Sequence, residues 1–242
     1  MSVADTHIFP SDAEALAREF KEFTHIVSHD FRAPLRSITE FSKLLQDEQG
    51  AKMDDEGRLY LALVQESGAK LQNMLDGVLE YSRLSLSTEA RSDTDSGGLV
   101  KQAAQALDTV IASRGAKITI TGELPRIHAV PQHYARVFSA LLDNALKFTE
   151  ADKTPDIVIS AQRNDNAWAF SMQDNGIGVE KEFQERIFQP FRKLYTDDVY
   201  PGIGMGLAIV KKIVEMHGGK IWVESEAGQG AVFTFTIACR EG

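Results

Sequence analysis

The chain has 242 residues, of which 43% are hydrophobic and 25% are charged, so it has room for one large domain or two smaller ones. Its formal net charge is −9 and its pI is about 5.2. This charge excludes non-specific binding to nucleic acid or to an anionic membrane surface, because both polyanions would be repelled on average.

The cysteine count and the hydropathy pattern favour a reducing, cytoplasmic location. The single cysteine, Cys239, cannot form an internal disulfide or a cysteine-based metal cluster. No stretch approaches the roughly 20 apolar residues that cross a bilayer, and the N-terminus lacks the basic-then-apolar order of a signal peptide. We therefore expect a cytoplasmic protein with no direct membrane span and no nucleic-acid partner.

Two long amphipathic helices are predicted in the first third of the chain, after an N-terminal extension at residues 1–13. Apolar residues recur in steps of three and four over residues 12–46 and again over 61–82. The charged, glycine-containing segment 47–57 separates them, which predicts an antiparallel helical hairpin. Because two helices cannot enclose both apolar stripes, we expect a homodimer in which two hairpins form a four-helix bundle.

The remainder of the chain mixes helical and strand periods. Residues 85–98 have no apolar periodicity and are rich in Ser, Thr, Asp and Gly, so we place a linker at 87–98 between domains at 14–86 and 99–242. The second domain is predicted to contain helices at 99–113, 131–148 and 205–219 and strands at 117–122, 156–163, 167–173, 220–226 and 231–238. This grouping predicts an α+β fold with a helical layer on one face of a mixed sheet.

Two glycine-rich segments of the second domain could bring backbone close to a flat or anionic ligand. In DNGIG, residues 174–178, two glycines permit positive φ, although ordinary turns often show the same pattern. In GIGMGLAIV, residues 202–210, three glycines run into a helix, as in sites where backbone N–H groups receive phosphate. The second segment is neither a P-loop, since no Gly-Lys-Ser/Thr follows, nor a Rossmann turn, since a polar loop precedes it.

Asn144 and Lys147 lie three residues apart on the predicted helix 131–148 and therefore share a face. The amide oxygen of Asn144 can coordinate a hard cation, and the ammonium of Lys147 can meet phosphate. A solvated helix face would show the same residue types, so this pair alone leaves both interpretations open.

Five motifs follow one another in the chain: SHDFRAPL, LLDNALKFT, DNGIG, IFQPF and GIGMGLAIV. Their order and spacing resemble the H, N, G1, F and G2 boxes of the transmitter module of sensor histidine kinases, over residues 14–239. The segment 200–226 is especially similar to kinases attached to phytochrome-like and other soluble sensors. The resemblance implies a dimerisation and histidine-phosphotransfer domain followed by a catalytic ATP-binding domain of the Bergerat fold.

The resemblance also implies the chemistry of phosphoryl transfer. His29 is similar to the phosphoacceptor, whose imidazole attacks the γ-phosphate of ATP, and Asp30 to the acid that orients the ring and accepts its proton. The phosphoryl group would then pass to an aspartate of a response regulator. The alternative function is a dimeric phosphotransfer scaffold without ATP-dependent activity.

The same resemblance implies a nucleotide site in the second domain. Asn144 is similar to the Mg²⁺ ligand, Lys147 to a phosphate contact, and Asp174 to the carboxylate that accepts a hydrogen bond from the adenine amino group. Phe188 and Phe191 resemble packing anchors of the lid over the triphosphate. The glycines implied in binding are Gly176 and Gly178, which shape the adenine pocket, and Gly202, Gly204 and Gly206, which belong to the lid.

The two histidines of HIVSHDFRAP can be separated by their neighbours. A His-x3-His pair can hold a metal, but the further ligands that a metal needs are not evident in the sequence. An acid at +1 and a proline at +5 fit His29, with Asp30 and Pro34, whereas Ile26 follows His25. We therefore interpret His25 as a bundle residue and expect Pro34 to bend the helix just after His29.

Two departures from the family pattern carry further expectations. Ala33 stands four residues after His29, where related kinases that also act as phosphatases carry Thr or Asn, and alanine cannot position a water. We expect weak or absent phosphatase activity. Ala140 stands where hydrolytic relatives of the ATP-binding fold place a glutamate as general base, which argues against water as the phosphoryl acceptor.

The sequence contains no sensory domain before its first helix. We expect either a piece of a longer receptor or a kinase that receives its signal from a separate sensor protein.

Overall fold

The computed structural model describes residues 12–85 and 87–239, with side chains described from Asp30 onward. The chain divides into two compact units, Met1–Ser87 and Thr88–Gly242. In the part of the chain that is described, no helix combines the length and the apolar character needed to cross a membrane.

The first unit is a helical hairpin. Helix α1 (Asp12–Gln49) is followed by a short 3-10 turn (Gly50–Lys52) and by α2 (Asp55–Leu84). The carboxylate of Asp54 caps α2 by accepting a hydrogen bond from the Gly57 N–H at 2.8 Å. Helix α1 continues as one helix on both sides of Pro34.

Contacts between α1 and α2 establish that the two helices are antiparallel. Arg32 forms an ion pair with Asp76 at 3.0 Å, and the amide of Gln65 donates to the carbonyl of Ser42 at 3.2 Å. Residues later in α1 therefore contact residues earlier in α2. The predicted helical hairpin is confirmed.

The second unit contains the remaining helices and strands. They are β1 (Ser92–Asp95), α3 (Ser96–Ala106), α4 (Asp108–Arg114), β2 (Lys117–Thr121), β3 (Arg126–Ala129), α5 (Pro131–Lys147), β4 (Asp156–Asn164), β5 (Ala167–Asp174), two short 3-10 turns (Lys181–Phe183 and Arg186–Phe188), α6 (Gly206–Met216), β6 (Ile221–Ser225) and β7 (Ala231–Ala238). Strands β1 and β3 pair with each other, and the other five form a sheet in the order β2-β4-β5-β7-β6. Only the β2–β4 pair of that sheet is parallel. The predicted mixed sheet with helices is confirmed.

Two local predictions for the second unit differ from the structure. The segment 87–98, predicted to be a linker, contains β1 and the start of α3, because even a polar strand can pair when one of its residues, Thr94, is buried. The predicted single helix at 99–113 is two helices that meet at Leu107, whose N–H bonds to the Ala104 carbonyl in a tighter 3-10 turn.

An aromatic cluster fixes α5 against the sheet. The rings of Phe170 on β5 and Phe235 on β7 stack with centroids 5.1 Å apart, at opposed positions of the strand pair. The ring of Phe138 on α5 lies edge-on to both, at 5.8 Å from Phe170 and 5.7 Å from Phe235. All three side chains are at most 1% exposed. This packing fixes the position of α5 along β5. The C-terminal ends of the helix and the strand therefore lie at the same edge of the unit.

Candidate functional site

Asp174, the last residue of β5, organises the turn that follows it. Its Oδ1 accepts hydrogen bonds from the N–H groups of Gly176 at 2.9 Å and Ala231 at 3.2 Å. Burial raises the pKa of the Asp174 carboxyl above its ordinary value, and these two hydrogen bonds oppose that rise. Because both bonds use Oδ1, the second carboxylate oxygen can accept another donor.

The turn at residues 174–178 packs so closely on its neighbours that it requires glycine. A Cβ on Gly176 would lie 2.5 Å from the carbonyl oxygen of Phe148, which itself accepts a hydrogen bond from the Ile177 N–H at 2.9 Å. Gly178 has φ +69°, and its Cβ would lie 2.1 Å from the Glu226 carbonyl oxygen. The turn is therefore held between the end of α5 and the connection from β6 to β7.

The C-terminal end of α5 presents a lysine beside this turn. Lys147 Nζ lies 4.8 Å from the centroid of the Phe148 ring and only 2.7 Å from where a Cβ on Gly202 would stand. Burial lowers the pKa of Lys147, as does the charge of Lys193, whereas Asp143 raises it. Asn144, one turn earlier on α5, is half-buried. The structure thus brings the predicted Lys147 and Gly202 together.

The loop at residues 189–205, which leads into α6, is shaped by positive φ angles. Gly202 has φ +146° and Gly204 has φ +73°, and a Cβ on Gly204 would lie 2.7 Å from the Arg192 carbonyl oxygen. Gly206 begins α6, and no side chain of the preceding Met205 caps the helix. The first N–H groups of α6 can therefore receive an anion.

Aromatic contacts of this loop were not predicted from the sequence. The ring of Tyr200 lies 5.0 Å from the ring of Phe148, and that of Tyr195 lies 5.2 Å from Tyr200. Gly230 was also missed, although a Cβ there would lie 2.1 Å from the Asp174 carbonyl oxygen. The Gly-x-Gly of AGQG, residues 227–230, was the available signal for Gly230.

The two phenylalanines predicted to anchor the lid behave differently. Phe188 is 7% exposed and packs edge-on to Phe233 at 6.4 Å. Phe191 is 41% exposed and adopts a left-handed φ of +60°. Of the two, Phe188 has the burial expected of a packing anchor and Phe191 does not.

The predicted residues of the first unit lie on α1. His29 belongs to this helix, but its side chain and that of His25 are outside the described side chains. Asp30 and Ala33 are exposed, and the Ala33 carbonyl accepts a hydrogen bond from Ser37 Oγ at 3.2 Å. Within the described residues, no three His, Cys, Asp or Glu side chains cluster as a metal site.

Two family models match the chain. Residues 21–86 match the His Kinase A (phospho-acceptor) domain. Residues 129–241 match the histidine kinase-, DNA gyrase B- and HSP90-like ATPase family. The two matches fall on the helical unit and on the sheet-containing unit.

Known proteins with similar sequences or structures agree with these matches. Cyanobacterial phytochrome A of Nostoc sp. (strain PCC 7120) is 40% identical over 77% of this chain and 24% of its own length. Phytochrome-like protein Cph1 of Synechocystis sp. is 38% identical over 76% of this chain and 24% of its own length. The crystal structure of full-length ShkA in complex with AMPPNP superposes with a TM-score of 0.69 and 31% identity, over 92% of this chain and 47% of ShkA. The chain thus spans 24% of the length of these two curated relatives.

Asp174→Asn should leave the second unit at least as stable as the wild type at pH 7. The folded-state pKa of Asp174 lies above its ordinary value of 3.8, so its contribution to stability is lost as pH rises through that folded pKa. The amide oxygen of Asn can still accept both backbone hydrogen bonds.

Denaturant unfolding between pH 4 and pH 8, without nucleotide, measures this difference. The free energy of unfolding of Asp174→Asn should increase relative to that of the wild type as pH rises. Asp152→Asn, which removes an exposed carboxylate, controls for loss of one charge. If the free energy of unfolding of the wild type instead increased relative to that of Asp174→Asn as pH rises, burial would not be the dominant effect on the pKa of Asp174.

Proposed function

Because the chain belongs to the sensor histidine kinase family, with the phospho-acceptor and ATPase domains of a transmitter module, we propose that it is an ATP-dependent protein histidine kinase. We assign autophosphorylation to His29 and onward transfer to an aspartate of a response regulator. The observation that carries the proposal is the convergence of Lys147, Gly176 and Asp174 around the end of α5. A cytoplasmic location, where a single cysteine stays reduced, fits this activity.

The adenine side of the proposed site is the 174–178 turn. The second carboxylate oxygen of Asp174 would accept a hydrogen bond from the adenine amino group, while Oδ1 remains engaged by backbone N–H groups. Gly176 and Gly178 keep the wall of the pocket free of side chains. Half-buried Phe148 lies next to this turn and offers an apolar ring to a flat base.

The phosphate side is formed by α5 and the start of α6. Lys147 supplies a cation, and the uncapped N–H groups at Gly206 supply donors to phosphate oxygens. Gly202 and Gly204 allow the backbone of the lid to approach closely. The amide oxygen of half-buried Asn144 is a hard ligand suited to Mg²⁺, which would neutralise charge on the phosphates when bound.

The proposed phosphoryl transfer uses residues of both units. An imidazole nitrogen of His29 forms a bond to the γ-phosphorus, and the bond from that phosphorus to the bridging oxygen breaks, leaving its electron pair on ADP. Asp30 accepts the proton from the other ring nitrogen, which keeps the product neutral at the imidazole. The phosphoramidate can then transfer its phosphoryl group to an aspartate carboxylate.

We further propose that the two domains have different roles. Residues 14–86 act as the dimerisation and phosphotransfer domain, and residues 99–242 act as the catalytic domain. The curated relatives extend well beyond the matched region. Signal input is proposed to come from a sensor domain or from a separate sensor protein.

A homodimer would bury two apolar rows of the hairpin. On α1, Phe31, Ile38 and Leu45 follow one another at intervals of seven residues and are 57%, 48% and 44% exposed. On α2, Val64, Leu71 and Val78 repeat at the same interval and are 46%, 51% and 37% exposed. A seven-residue repeat is the pattern of a helix-bundle interface, so a second copy of the hairpin is the proposed partner of these rows.

Autophosphorylation should depend on His29 and not on His25. Incubation of the full chain with γ-labelled ATP should give a label that survives base and is lost in acid, as expected of a phosphoramidate. His29→Gln should abolish the label, His25→Gln should retain it, and Asp174→Asn should reduce it by about ten- to a hundredfold through loss of a hydrogen bond to a charged group in nucleotide binding. Label lost with His25→Gln alone would contradict the assignment, and a wild type that takes up no label would favour the scaffold function.

Ala33→Thr should raise phosphatase activity that is weak or absent in the wild type. A threonine hydroxyl at this exposed position of α1 can orient a water toward an aspartyl phosphate, which a methyl group cannot do. The measurement is loss of phosphate from a phosphorylated response regulator in the presence of this protein and ADP. Ala33→Val adds similar bulk without a hydroxyl and should stay inactive. Rapid loss with the wild type would contradict the prediction.

Ile38→Asp should dissociate the proposed dimer. Burial of an unpaired carboxylate from each copy should weaken self-association by roughly a hundredfold or more. Sedimentation velocity over a range of protein concentrations measures the change. Lys43→Asp introduces the same carboxylate, with a larger change in net charge, at an exposed position off the repeat and should remain dimeric. A monomeric wild type at micromolar concentration would contradict the proposal.

A further inference from the structure

Arg114, the last residue of α4, binds the end of the helix that carries Asn144 and Lys147. Arg114 is half-buried, and its guanidinium reaches backbone carbonyls spread over residues 146–153. The acceptors are the carbonyl oxygens of Leu146 at 3.3 Å, Thr149 at 3.1 Å, Glu150 at 2.9 Å and Lys153 at 3.4 Å. One side chain thus joins the last turn of α5 to the connection that leads to β4.

The end of α5 depends on such donors because it lacks a glycine cap. Phe148, which follows the helix, has φ −90° rather than a left-handed conformation. The carbonyl of Asn144 accepts from the Phe148 N–H at 2.9 Å, and that of Ala145 from Thr149 Oγ1 at 2.8 Å. Arg114 supplies the donor for Leu146 and places a positive charge at the negative end of the helix.

The contact acts on the phosphate side of the proposed nucleotide site. Lys147 directly follows Leu146, whose carbonyl Arg114 binds, and Lys147 Nζ faces the backbone of Gly202. The adenine side has its own attachment, because the Ile177 N–H donates to the Phe148 carbonyl without involving Arg114. Loss of the guanidinium should therefore disturb Asn144 and Lys147 more than Asp174.

The charge of Arg114 also reaches the lid. Burial raises the pKa of the Tyr200 phenol, as do Tyr195 and Glu150, and the positive charge of Arg114 opposes that rise. Tyr200 in turn packs against Phe148 at the end of α5. Arg114 is thus close to both elements that would enclose a triphosphate.

We infer that Arg114 is a positioning residue that fixes the last turn of α5, and with it Lys147 and Asn144, for binding the phosphates and Mg²⁺ of ATP. The inference rests on the proposed function. Arginine suits this task better than lysine, because its planar fork can hold several carbonyls in fixed directions at once. Arg114 acts through these residues and need not touch the nucleotide.

Binding of MgATP and adenosine to the full chain, measured by competition against a fluorescent adenine nucleotide, tests the inference. Arg114→Met should weaken MgATP binding roughly tenfold, as for residues that orient a ligand of a metal, and should leave adenosine binding unchanged. Arg114→Lys should show a smaller loss with the same selectivity. Arg126→Met, which removes an arginine bound to Asp93 at 2.7 Å on the β1–β3 pair, should change neither affinity.

The possible outcomes separate the inference from the function on which it rests. Equal weakening of MgATP and adenosine by Arg114→Met would assign Arg114 a purely structural role and overturn the inference, as would unchanged MgATP binding. If Arg114→Met does not fold, the selectivity of Arg114→Lys decides in the same way. A wild type that binds neither ligand would overturn the proposed function and the inference together.

Discussion

The close approach of the Phe148 carbonyl to the 174–178 turn is the contact on which the arrangement of the second unit's site depends. That oxygen accepts the Ile177 N–H at 2.9 Å and stands 2.5 Å from where a Cβ on Gly176 would be. The hydrogen bond can form at this distance only because residue 176 has no side chain. This hydrogen bond joins the helix that carries Asn144 and Lys147 to the strand that ends at Asp174. It therefore fixes the distance between the end of α5 and the 174–178 turn in the candidate site.

The hydrophobic core behind this contact sets its geometry. Phe138 rests on the stacked rings of Phe170 and Phe235, which lie on adjacent strands, so α5 cannot shift along the sheet without losing two aromatic contacts. The register of β5 and β7 places Ala231 opposite Asp174, where the Ala231 N–H binds the carboxylate. Asp174 is half-buried, and backbone donors that the fold already provides oppose the rise in its pKa that burial causes.

Elements marked by apolar periodicity or by glycine could be predicted from the sequence, whereas features held by backbone contacts could not. The hairpin and the five-stranded sheet follow from apolar repeats, and the glycines of 174–178 and 202–206 stand where close approach or positive φ requires them, apart from Gly206. The β1–β3 pair was missed because β1 is four polar residues with one buried side chain. The contacts of Arg114 could not be predicted from the sequence either. Their acceptors are backbone carbonyls 32 to 39 residues away, and any residue type can provide such a carbonyl.

Side-chain hydrogen bonds hold helix α6 at one end, and no side chain caps it at the other. At its C-terminal end, His217 Nδ1 donates to the Ile213 carbonyl at 2.8 Å, while Nε2 accepts the Val130 N–H at 3.3 Å. Accepting through Nε2 requires a neutral ring, and burial lowers the pKa of His217 in the same direction. Arg91 adds a hydrogen bond to the Met216 carbonyl at 2.9 Å. The N-terminal end lacks a side-chain cap, and Gly204 and Gly206 stand on either side of buried Met205, so the first N–H groups of α6 remain available to an anion.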